Sequence, residues 1–190
     1  MIRCACRSGA NAPRNAFAVA FVAAVAFLGT GVRADSPPPV REVPLFTIAK
    51  SENKNQVQYA IRVDEHCAPE SGAPVFAYWR MLEKGPDRTE PLLAREIDAY
   101  GVASQTVVAR YAEGGKVNLV LRAVPSRTIL IETWHSDTRC QAVATLSIGG
   151  APAHLFNVYA KLRWLFGVEY LLLQGWSVDG THVVKEKLGG

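Results

Sequence analysis

The chain has 190 residues, with 21 Lys and Arg against 17 Asp and Glu, a formal charge of +4. Its 49% hydrophobic and 20% charged content excludes an intrinsically disordered chain and fits a folded globular one. The positive excess is local, since residues 1–34 hold Arg3, Arg7, Arg14 and Arg33 and no acidic residue. Beyond them, 17 basic and 17 acidic residues balance, so a general attraction to nucleic acid or to an anionic membrane has no basis.

Residues 1–34 have the layout of an export signal. A cationic stretch over 1–15 precedes 13 unbroken apolar residues (16–28), and Val32-Arg33-Ala34 places small residues where a signal peptidase needs them. A membrane-spanning helix needs about 20 apolar residues, so a cleaved signal is the reading, with no transmembrane segment after cleavage. The protein is therefore expected to be exported, periplasmic or extracellular. Cys4 and Cys6 leave with the signal, and Cys67 and Cys140 remain as one pair. In an oxidising compartment a disulfide is the default for such a pair. Two buried thiols, or a thiol nucleophile, are the alternatives.

A proline-rich leader over 35–44 reads as an extended spacer, followed by a single β-rich domain over 45–188. Strands are expected at 45–51, 56–64, 74–83, 105–112, 117–124, 127–134, 140–148, 154–162, 168–177 and 181–187. Val57, Tyr59, Ile61 and Val63 alternate with Gln58 and Arg62, and Val117, Leu119, Leu121 and Ala123 with Asn118 and Arg122. Such period-two patterns mark half-buried strands. Turns are expected at 113–116, 125–126, 135–137, 149–150 and 179–180, where Gly, Pro and Asp cluster. Short connections make consecutive strands antiparallel neighbours. The fold class is thus mainly β: an antiparallel meander forming a closed or partly open barrel or sandwich.

One helix is predicted over 90–100, with Thr89 as N-cap, Pro91 in the first turn, Gly101 past the end, and Leu92, Leu93, Ile97 and Tyr100 as packed face. The stretch 154–176 fits either a helical stripe or two strands about Gly167, and we read strands.

Several segments follow one another in order: Leu45-Phe46-x-Ile48, Ser51-x-Asn53-x-Asn55-x-Val57-x-Tyr59, Val75-x-Ala77-Tyr78-Trp79-x-Met81, Ala99-Tyr100-Gly101 and Val168-Glu169-Tyr170. This ordered set resembles an exported bacterial family, domain-of-unknown-function family 4833, over residues 44–188. The resemblance implies a single-domain, mostly β, exported protein, and it implies no activity or site residues. The Cys67/Cys140 pair and the segment 164–166 lie outside what it carries.

The chain has no Gly-x-Ser-x-Gly, His-Glu-x-x-His, Cys-x-x-Cys or phosphate-binding glycine loop. A bridge between Cys67 and Cys140 would draw 64–66 towards 135–137, making His66, His135 and Asp137 metal-ligand candidates against the plainer reading of solvated loops. His154 and His182 read as isolated pairing residues on strands. Tyr78, Trp79, Trp134, Trp164, Phe166 and Trp176 are the binding candidates, against the plainer reading of core and sheet-surface packing, and alternation sends Tyr78 and Trp79 to opposite faces. The function expected is a non-enzymatic binding module for a small apolar ligand or an envelope component, with no cofactor and no nucleic acid partner. A structural or assembly factor acting through protein contacts, or an enzyme without a recognisable motif, are the alternatives.

Overall fold

The computed structural model describes residues 40–163 and 168–189. The segment expected to be an export signal, most of the proline-rich leader, Trp164 and Phe166 lie outside the described residues. Among the described residues there are eleven strands and one helix: β1 (Arg41–Lys50), β2 (Gln56–Val63), β3 (Val75–Arg80), β4 (Thr89–Pro91), α1 (Ala94–Tyr100), β5 (Val102–Tyr111), β6 (Gly114–Leu121), β7 (Val124–Ser136), β8 (Arg139–Ile148), β9 (Ala151–Leu162), β10 (Val168–Ser177) and β11 (Val183–Gly189). All ten expected strands are present, and 154–176 is two strands.

The strands form two meanders. β1 to β4 pair in succession, as do β5 to β11, with every consecutive pair antiparallel. The meanders join where β1 runs parallel to β9, from Thr47 opposite Asn157 to Lys50 opposite Ala160. The sheet is therefore mixed, and the expectation of antiparallel pairs alone is corrected by this one parallel pair. Along one side of β9, β8 pairs with Ala151–His154 and β1 takes over at Asn157. On its outer face Asn157 links the junction, meeting the Thr47 hydroxyl at 3.0 Å and donating to Gln174 Oε1 at 2.8 Å.

The sheet does not close into a barrel. Its order runs β4-β3-β2-β1-β9-β8-β7-β6-β5, with β10 and β11 as a ribbon off β9. Where a barrel would close, one side chain reaches across from β5 to β3. Gln105 Oε1 accepts the Val75 N–H at 2.8 Å, and its amide nitrogen Nε2 donates to the Val75 carbonyl at 3.0 Å. A side chain thus imitates one rung of a β-ladder and satisfies backbone groups at an edge.

The core lies between the facing sides of β1–β3 and β6–β10. Phe46, Ile48, Val57, Tyr59, Ile61, Val117, Leu119, Ile129, Ile131, Leu155 and Leu173 are buried there. The odd positions of β2 face inward as the alternation requires. Gln58 departs from expectation: it is buried on the other face, donating to the carbonyls of Phe46 and Tyr59 at 3.1 and 2.9 Å. Cys67 and Cys140 form a disulfide that pins the 64–70 loop to β8.

Local differences have physical reasons. β1 begins at Arg41, so the last four residues assigned to the leader belong to a strand. Pro44 fits there because β9 pairs with β1 only from Thr47, and a register shift follows it. Ala112 and Glu113 make the β5–β6 turn, while Gly114 and Gly115 open β6. Gly114 has φ +142° and a Cβ there would sit 2.1 Å from the Thr133 carbonyl oxygen, so close approach to β7 accounts for this glycine. The β6–β7 turn is Arg122-Ala123, and Pro125, Ser126 and Arg127 bulge out of β7 between the partners of Val120 and Leu121.

The expected helix over 90–100 is shorter. Thr89 does not cap it, because Thr89–Pro91 pairs with Tyr78–Arg80 as β4. α1 starts after Leu93, whose N–H is accepted by Glu96 Oε2 at 2.8 Å, half of a capping box. Leu92 and Tyr100 pack on the core, whereas Leu93 and Ile97 are exposed, so the packed face is half as wide as expected.

Candidate functional site

A pocket of about 480 Å³ opens between the β1–β2 turn, β3 and the β4–α1 segment. Lys50, Asn53 and Asn55 line one side, Trp79 and Met81 the floor, and Glu90, Pro91, Leu93 and Glu96 the other side. Its size falls within the range of small-molecule sites, and an apolar body with a few polar groups is their usual composition.

Each wall is fixed locally. In the turn, Asn53 Oδ1 accepts the Asn55 N–H at 3.1 Å, an Asx turn. Asn55 is buried and exchanges two hydrogen bonds with Glu83, its Oδ1 accepting the Glu83 N–H at 3.2 Å and its Nδ2 donating to Oε2 at 3.4 Å. The turn is thereby tied to the segment after β3. On the floor, Trp79 is 7% exposed. Its indole N–H donates to Glu96 Oε2 at 2.9 Å, Tyr100 meets its ring edge-on at 5.9 Å, and the Lys50 ammonium lies 4.9 Å from its centroid. Beneath, Tyr59 donates its hydroxyl to the Tyr100 carbonyl, which anchors the end of α1 to the core. Burial pushes the Tyr59 phenol well above its ordinary value, so it stays protonated and remains a donor. At the rim, hydrogen bonding from Lys84 at 2.9 Å, with Arg88 at 3.7 Å, holds the Glu90 carboxyl below its ordinary value.

Of the six aromatic candidates, Trp79 alone lines this pocket, and Trp164 and Phe166 fall outside the described residues. Tyr78 faces the opposite side of β3, stacked on Phe76 in a shallow groove with Glu42 and Pro91. Trp134 is exposed on β7, near Tyr111 and the Lys116–Glu132 ion pair. Trp176 is exposed on β10 and packs at 6.0 Å against Phe156 of β9. The aromatics therefore occupy separate surfaces.

The metal-ligand candidates are also separate in role. The disulfide does bring their segments into one region, but His66 is exposed and sits 3.6 Å from Glu65. His135 is exposed on β7 opposite Cys140. Asp137 occupies the two-residue β7–β8 turn at φ +53°, a conformation that Asp tolerates well. Asp64 is spent on the loop itself, accepting the N–H groups of His66 and Ala68 and pairing with Arg110 at 3.1 Å. Among the described residues, no group of three or more His, Cys, Asp or Glu is positioned to hold a metal ion. His154 does pair across strands, with Thr145 at 3.0 Å, whereas His182 lies in the bend before β11 rather than on a strand.

Sequence reasoning did not single out Lys50, Glu90 or Glu96. A faint signal was present for the last: Glu three positions after a chain entering a helix is half of a capping pattern. Its second role, receiving the indole of Trp79, depends on the β3–α1 approach and leaves no local trace.

The family described as Domain of unknown function (DUF4833) matches residues 46–187. The chain belongs to the DUF4833 family. No curated protein and no solved structure matches it. The segments by which the sequence resembles DUF4833 are far apart along the chain, yet Asn53, Asn55, Trp79 and Met81 all line the one pocket, and Tyr100 supports its floor. Among the described residues, no helix is long and apolar enough to cross a membrane.

Proposed function

We propose that this DUF4833 domain is an exported, non-enzymatic binding module that takes a small, largely apolar ligand into the pocket above Trp79. The observation that carries this reading is that Asn53 and Asn55, just before β2, and Trp79 and Met81, at the end of the adjacent β3, line one pocket. Trp79 and Met81, with Pro91 and Leu93, supply the apolar surface, and Glu90 and Glu96 supply orienting polar groups. Export is supported by the three-part leader and agrees with the Cys67–Cys140 disulfide. Native mass spectrometry of protein gently isolated from the exported fraction tests both parts. The expected species starts at Asp35, has an oxidised cysteine pair and retains a small-molecule adduct. A mass that includes residues 1–34 contradicts export, and an adduct-free protein counts against a resident ligand.

A second reading, a contact surface for assembly, has its own observation. Phe156 and Trp176 are 36% and 46% exposed and adjacent, with Val183 of β11 opposite Trp176. An exposed aromatic pair of this kind suits a protein contact. Concentration-dependent sedimentation that disappears in Trp176→Ser would favour it.

A further inference from the structure

We propose that the pocket takes an ammonium group carried on an apolar body, a small alkylammonium compound, with Glu96 as its counter-charge and Trp79 as its wall. This rests on the pocket being a binding site and adds the charge of its ligand. Three titratable residues line the pocket: Lys50, Glu90 and Glu96. Two have partners of opposite charge. Glu90 is met by Lys84 and Arg88 at the rim, and Lys50 lies 3.6 Å from Glu52.

Glu96 is different. Its partners among the described residues are two neutral donors, the Trp79 indole and the Leu93 amide, and both reach Oε2. Oε1 makes no hydrogen bond, and no cation lies within ion-pair distance of the carboxylate, among the described residues. The charge left unmatched in the pocket is therefore negative, beside apolar walls where water screens it less than in the open. An anionic ligand would be repelled by that charge, whereas an ammonium would neutralise it.

The indole points the same way. The negative face of an aromatic ring attracts cations, and the chain already places one there, the Lys50 ammonium. Lys50 thus acts as a built-in competitor for part of the site, held back by Glu52. Met81, Pro91 and Leu93 offer the surface for the alkyl chain. Removing the lysine charge and removing the Glu96 charge should then act in opposite directions.

Calorimetric titration of the purified protein with hexylammonium, 1-hexanol and hexanoate tests this. Hexylammonium is expected to bind about tenfold more tightly than hexanoate, with hexanol between them. Glu96→Gln keeps an oxygen to accept both N–H bonds, so the fold is retained. It should weaken hexylammonium about fivefold to tenfold and leave hexanol unchanged. Lys50→Gln should tighten hexylammonium about threefold. Equal binding of all three probes, or hexylammonium affinity unchanged in Glu96→Gln, overturns the charge assignment while leaving the pocket a binding site. Failure of all three probes to bind overturns both.

Discussion

Tyr59 shows how one hydroxyl connects core and site. Its ring stacks on Phe46 with centroids 4.7 Å apart, and its O–H serves the carbonyl that ends α1. Tyr59→Phe keeps the packing and strands that acceptor, so a loss of about 1–2 kcal/mol is expected in chemical denaturation. Faster amide exchange in α1 should accompany it. Asp179 gives a pH signature. Hydrogen bonds from Ser177 and from the Thr181 amide and hydroxyl hold its carboxyl at about 2, below its ordinary 3.8. A carboxyl with a depressed folded-state value stabilises the fold above its ordinary value, and that contribution is lost as pH falls through about 2. Asp179→Asn should therefore be less stable than the native chain near neutral pH and equal to it once the pH is below about 1.5. A urea-midpoint gap that stays constant on acidification would contradict this.

Among the elements, the edge between β5 and β3 is held by Gln105 rather than by a ladder. Gln105→Ala removes both bonds, and a loss of about 1–2 kcal/mol is expected, with the Val75 amide losing its exchange protection. An unchanged Val75 amide would show that the clasp does not hold this edge. Gly114→Ala tests a different element. A methyl there meets the Thr133 carbonyl carbon at 2.9 Å as well as its oxygen, and the backbone has positive φ, so β6 must part from β7. A loss of about 3 kcal/mol or more is expected from strain and the broken pairing, read as a lowered melting temperature.

Strands such as β2 and β6 were legible in the sequence because alternation and flanking turns are local signals, whereas 168–177 lacks clean alternation and fitted a helical stripe as well. β4 was not: Thr89-Glu90-Pro91 offers an N-cap and a favourable first-turn proline, and only pairing with β3 overrides that preference. The parallel β1–β9 junction joins residues 110 positions apart, and nothing local encodes it. The same holds at the site. Trp79 could be named from its type, but its meeting with Glu96, 17 residues on, follows from how α1 lies across β3.

In the whole molecule, two meanders share one core, and the disulfide joins them across 73 positions. Closing a loop of this length in the unfolded chain is worth about 4 kcal/mol in the chain-entropy account. Reduction should lower stability by up to that amount, measured as the denaturant midpoint with and without reductant, and an unchanged midpoint would contradict it. The balanced charge beyond residue 34 leaves the local field of each pocket to its own few residues. That is why Glu96 can set the sign of the ligand in the pocket above Trp79. If ligand binds there and not at the exposed aromatics, the indole N–H resonances will report it. On titration with hexylammonium, the Trp79 signal, fixed by Glu96, should shift saturably while those of Trp134 and Trp176 stay in place. A shift confined to Trp134 or Trp176, or no shift at all, would rule out binding above Trp79.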